Sequence, residues 1–197
     1  MINKKIKGSN AQNNMRAREF WDCSERNVCA VWLALLSMGV SKNQILAIDD
    51  EFHDKTVIEC RQDAEDDVAE VRLGRFMQSV GLSGGDIVPA LEKYKRRINR
   101  AFPTGESYAL AMQALRADFI MMLMQLNRSL GYGNKRLKRV ISFVSSYDGD
   151  PKDEVARELN IYYPPPDTLP DTSDIFAVKK RKRKELEQAT MLIPHIS

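Results

Sequence analysis

Four residues with metal-ligating side chains, Cys23, Cys29, His53 and Cys60, fall within one stretch of the chain. Five residues separate the first two and six separate the last two. Zinc knuckles use tighter spacings, so these cysteines read as core thiols. His53 also stands among Asp49, Asp50, Glu51 and Asp54, a pattern reminiscent of metal-dependent hydrolases. The only other histidine is His195, and one imidazole cannot build the multi-histidine sites of that chemistry. Gly81, Gly84 and Gly85 lack the lysine and the preceding strand of a phosphate-binding loop. No nucleophile can be paired with a base. The residues therefore predict no catalysis, no metal and no cofactor.

What remains is recognition chemistry carried by charge. Lys93, Lys95, Arg96, Arg97 and Arg100 form one basic cluster, and Lys135, Arg136, Lys138 and Arg139 form a second. A third is the unbroken run Lys179, Lys180, Arg181, Lys182, Arg183 and Lys184. Such clusters suit the phosphates of a nucleic acid. The second places four cations in the first two turns of an expected helix, where the backbone dipole disfavours them. Lys135, Lys138 and Arg139 are expected on one face, able to follow a phosphate backbone. Against these clusters stands an acidic block, residues 49–70, with ten carboxylates and two cations. It defines the rival expectation, a protein-interaction module that binds a basic host factor and inhibits it by mimicking nucleic acid.

The segment from Ala34 to Ile48 resembles the helix-turn-helix of DNA-binding regulators. Gly39, Val40, Ile45 and Ile48 match the turn and packing positions, whereas Leu35 stands where that family prefers alanine. The resemblance implies that Ser41, Lys42, Asn43 and Gln44 supply groove contacts, since asparagine and glutamine pair with adenine edges and lysine with guanine or phosphate. Residues Gly131 to Val140, followed by Asp150 to Ile161, are similar to the C-terminal part of small uncharacterised helical proteins of phages and mobile elements in Gram-positive bacteria. That resemblance implies an accessory protein, regulatory or directed against host defences, without catalytic residues.

These groups must be positioned by helices, because the apolar residues recur at spacings of three and four with no alternating strand pattern. Ser24 is placed to cap a helix whose face is Val28, Trp32, Leu35 and Leu36, stopped by Gly39. Ser41 and Gln44 form a capping box for a second helix with Ile45, Ile48 and Phe52. A third, from about Ala64 to Val80, carries Val68, Val71, Phe76 and Val80. One helix is expected from Ser83 through Ile87, Leu91 and Tyr94 into the basic cluster, ending before Pro103. The longest is expected to run from Thr104 through Leu115, Phe119, Met122, Leu126 and Leu130, buried on several sides. After Gly131-Tyr132-Gly133 comes a helix with Leu137, Val140, Ile141 and Val144. A last one is capped by Asp150 with Pro151 at its first position. Apolar residues recur six, nine and thirteen positions after Gly39, Gly81 and Gly131, which predicts a threefold internal repeat of hairpins.

The whole is expected to be an all-α, multi-helix bundle of helical hairpins. Its 197 residues, 43% apolar and 29% charged with a net charge of +3, suit a single globular unit with reduced thiols. A helical domain is expected over residues 18–162. It is preceded by a flexible basic N-terminus, residues 1–17, and followed by a Pro-rich arm and polybasic tail, residues 163–197. No stretch approaches the roughly 20 apolar residues of a membrane span. Met1 to Gly8 leads into polar residues, so no secretory leader is expected and the expected location is cytoplasmic. The expected function is non-catalytic nucleic-acid binding, DNA favoured over RNA, as a phage or mobile-element regulator.

Overall fold

The computed structural model describes the backbone of residues 2–63 and 68–162, and the side chains of residues 15–52 and 71–162. Eight helices and no strand occur among the described residues: α1 (Ile2–Ser37), α2 (Lys42–Asp63), α3 (Val68–Ser79), α4 (Gly84–Glu92), α5 (Lys95–Ala101), α6 (Gly105–Leu130), α7 (Asn134–Ser146) and α8 (Pro151–Leu159). The fold is all-α. Residues Glu19–Tyr163 form one compact unit. The arm and tail expected over residues 163–197, with the polybasic run from Lys179 to Lys184, lie outside the described residues.

At the centre is α6, which packs against α2, α3, α4, α5 and α7. Leu115, Phe119, Met122, Leu123 and Leu126 are almost wholly enclosed, so this helix is buried on several sides, as its apolar surplus requires. By length and composition alone it is also apolar enough to cross a membrane, which corrects the expectation that no stretch comes near that threshold. Several of its apolar residues belong to the core of the helical unit.

The structure corrects the expectations for α1 and α3. The longest helix is α1, at 36 residues against 26 for α6. Ser24 is not its cap, because α1 already runs from Ile2, through the segment expected to be a flexible N-terminus. The Ser24 hydroxyl instead donates to Asp118 at 2.9 Å, from α1 to α6. From Val28 to Leu35 every residue of α1 is buried, so the expected single apolar face is a fully enclosed segment. Ala30 and Ala34 leave room for close packing on the sides without large side chains. In α3, Val71 is 52% exposed, and the inward face consists of Leu73, Phe76, Met77 and Val80.

Left-handed glycines end three of the helices. Gly39 (φ +83°) and Gly81 (φ +68°) close the same double-bonded turn. Val40 N donates to Leu35 O and Gly39 N to Leu36 O, while Leu82 N donates to Met77 O and Gly81 N to Gln78 O. Gly131 (φ +62°) uses the simpler single bond, from its N to Asn127 O. The nine residues that suggested a repeat, from Ile45, Ile48 and Phe52 to Leu137, Val140 and Val144, are all buried. Each of the three units has a left-handed glycine stop followed by a packed helix.

The expected single helix over residues 84–102 is two, α4 and α5. The break falls at Lys93 and Tyr94, where Tyr94 N closes on Leu91 O in a tighter turn. The stripe Ile87, Leu91, Tyr94, Ile98 stays buried across the break, so its spacing gives no sign of the interruption.

Candidate nucleic-acid interface

The α1–α2 turn and the start of α7 meet at a cleft of about 400 Å³, lined by Met38, Gly39, Val40, Gln44, Leu130, Tyr132, Arg136 and Arg139. Each wall has a local origin. On one side, Ser41 N and Oγ both donate to Gln44 Oε1, at 3.3 and 2.9 Å, and Gln44 N returns a bond to Ser41 Oγ at 3.4 Å. This is the capping box expected from the sequence, and it fixes Gln44 at the cleft wall. On the other side, α7 starts at Gly133 without a side-chain cap. Its register is set by Asn134, whose Nδ2 donates to Val80 O at 2.9 Å and Gly81 O at 2.7 Å and so pins α7 to the end of α3.

The four cations of α7 do not act as one face. Leu137, Val140, Ile141 and Val144 occupy the inward side of the helix. Arg136 and Arg139, three residues apart, line the cleft. Lys138 points elsewhere and pairs with Asp86 at 3.0 Å. Asp86 is the carboxylate partner in the capping box of α4, whose N-cap is Ser83, and accepts from Ser83 N and Oγ at 2.7 Å each. Those bonds and Lys138 hold its carboxyl down at about 2. The expected shared face of Lys135, Lys138 and Arg139 is therefore corrected: the pair that faces the cleft is Arg136 with Arg139. The Arg136 guanidinium lies over the Tyr132 ring, 5.2 Å from its centroid. Neither arginine has a carboxylate partner among the described residues.

Of Lys93, Arg96 and Arg97, the expected contact residues of the first basic cluster, two are committed to the fold. Lys93 Nζ donates to Val144 O at 2.8 Å and lies 5.4 Å from the centre of the Tyr94 ring. Loss of water around its ammonium pulls its pKa down. Arg97 bonds Glu19 at 2.8 Å and Asp22 at 2.7 Å. Only Arg96 of those three is exposed without such a bond among the described residues. Ser41, Lys42, Asn43, Gln44 and Lys135 are exposed, with Lys42 3.8 Å from Glu158 of α8.

Sequence spacing gave no sign of the ionic network around Arg97. Asp22, 5% exposed, receives Arg26 at 2.8 Å, Arg97 at 2.7 Å and Lys152 at 3.2 Å. Lys152 also reaches Glu25 at 2.6 Å, and Arg26 reaches Asp150 at 2.9 Å. Burial raises the Asp22 carboxyl, but hydrogen bonds from Arg26 and Arg97 outweigh it and hold the group below the ordinary carboxylate value. The network joins α1, α5 and α8, across as many as 130 residues of sequence.

The acidic block is partly internal. Asp49 accepts from Trp32 Nε1 at 3.0 Å, and Glu51 accepts from Gln125 Nε2 at 2.6 Å. The side chains of residues 53–70, including His53 and Cys60, lie outside the described residues. Among the described residues, no group of three or more His, Cys, Asp or Glu side chains is arranged to hold a metal ion. Cys23 and Cys29 are buried free thiols, and burial pushes Cys23 up to about 12 and Cys29 higher still. Neither is poised as a nucleophile.

Set against protein-family models, curated proteins and solved structures, the chain matches none.

Proposed function

We propose that the chain is a non-catalytic nucleic-acid-binding protein whose contact face is centred on the cleft between the α1–α2 turn and the start of α7. The observation that carries this reading is the contrast among cations. Arg26, Arg97, Lys138 and Lys152 are neutralised by carboxylates, whereas Arg136 and Arg139 face one cleft with no carboxylate among the described residues. Adjacent like charges on a helix repel, and an anion between them relieves that repulsion. Two guanidiniums separated by one turn suit successive phosphates. Gln44 on the opposite wall adds an amide able to bond a base edge, with Lys42 and Asn43 exposed beside it.

The described cysteines, Cys23 and Cys29, are buried with raised pKa and are not poised as nucleophiles. The rival reading, an acidic surface that captures a basic host protein, loses Asp49 and Glu51 to internal hydrogen bonds. A regulatory role in a phage or other mobile element, acting on DNA in preference to RNA, extends the proposal on the strength of the sequence resemblance alone.

The test is a fluorescence anisotropy titration of the full chain with mixed-sequence duplex DNA, single-stranded DNA and RNA at two salt concentrations, repeated after truncation beyond Pro166. Salt-sensitive binding that survives truncation is expected. Absence of binding at low salt, or binding that disappears with the tail, contradicts a site on the helical unit.

A further inference from the structure

The shape and lining of the cleft bear on which form of nucleic acid is bound; the inference rests on the reading just proposed. Its volume of about 400 Å³ lies at the lower end of the roughly 300–1,000 Å³ typical of small-ligand sites. A flat basic surface suffices for the phosphates of a duplex, whose bases are stacked inside and cannot enter such a recess. An unstacked base can. Met38, Val40 and Leu130 add a minor apolar share to a mostly polar lining, and the Arg136 guanidinium is steadied against Tyr132. A base stacks on an arginine plane as it does on an aromatic ring. The cap bond between Ser41 and Gln44 engages Gln44 Oε1 and leaves its amide NH2 as a donor at the wall.

We propose that this cleft receives one unstacked base of a single-stranded nucleic acid, with the flanking phosphates on Arg136 and Arg139, so that the protein prefers single strands to duplex.

The experiment compares the full chain with a labelled oligothymidylate, an abasic oligomer of the same length and a blunt duplex at one low salt concentration. Thymidine monophosphate serves as competitor, and Val40→Trp fills the cleft. The oligothymidylate is expected to bind about tenfold more tightly than the abasic strand and more tightly than the duplex. Val40→Trp is expected to erase that advantage, bringing the oligothymidylate down to the affinity of the abasic strand. The abasic arm decides the matter without any change to the protein. Equal binding of the abasic strand or of the duplex overturns the base site, and leaves the cleft as a phosphate-binding surface. Displacement by equimolar thymidine monophosphate also overturns it, in favour of a free-nucleotide pocket. Failure of every oligomer to bind removes the proposed function together with this inference.

Discussion

Trp32 of α1 donates its indole N–H to the Asp49 carboxylate of α2 at 3.0 Å, and both side chains are buried. The bond locks the two helices that flank the Gly39 turn. Replacing Asp49 with alanine orphans a buried indole donor, at a cost of about 1–3 kcal/mol. Urea denaturation is expected to show that loss. An unchanged denaturation midpoint would mean that the bond does not hold the hairpin.

Asp118 gives the unit a pH dependence of unusual sign. Burial raises its carboxyl to about 6, partly offset by the Ser24 hydroxyl. For an acid raised in the folded state, the associated stability is complete below the ordinary value of 3.8 and is lost as pH rises through about 6. Asp118→Asn keeps an acceptor for Ser24 and removes the ionisation. The variant is expected to be about 1–2 kcal/mol more stable than the parent at neutral pH. Near pH 4 the two should converge. Thermal melts across that range check it, and a constant difference at every pH contradicts it.

Arg97 separates a structural cation from a binding one. Arg97→Gln removes two ion pairs, one of them to nearly buried Asp22, which keeps Arg26 and Lys152. A stability loss of about 1–3 kcal/mol is expected, with nucleic-acid affinity unchanged. Because the Asp22 carboxyl is held down, the contribution of this network is present above the ordinary carboxylate value and vanishes in stronger acid. Weakened binding by a folded Arg97→Gln variant would place Arg97 on the interface after all.

Gly81 is constrained twice. Its φ of +68° strains any other residue, and an added Cβ would sit 3.2 Å from Asn134 Nδ2, the group that ties α7 to α3. Gly81→Ala is expected to cost about 1 kcal/mol or more by denaturation. It is also expected to weaken binding at the cleft, by shifting Arg136 and Arg139 with α7. Gly39→Ala, with open space around its Cβ, is expected to cost only the backbone strain.

Much of the fold was legible in the sequence because its punctuation is local. The capping box at Ser41 and Gln44, the cap at Asp150 and the stops at Gly39, Gly81 and Gly131 each act within one turn of helix. What stayed hidden acts over distance or in ambiguous patterns. Arg97 looked like a free cation because Glu19 lies 78 residues away, and no spacing rule links them. Val71 looked like core because α3 offers two apolar stripes, and only packing against α6 selects the one through Phe76 and Met77. The cleft was half visible: both of its sides were singled out from sequence, but nothing local indicated that Gln44 and Arg139 share it.

The most direct test of the account is the salt dependence of nucleic-acid affinity for the parent chain beside an Arg136→Gln, Arg139→Gln double variant. Both arginines are exposed, and both substitutions keep helix-forming side chains, so folding should be retained. The account predicts weaker binding and a log–log salt slope shallower by about two, one for each phosphate left without its arginine. An unchanged slope and affinity in the folded double variant would contradict it.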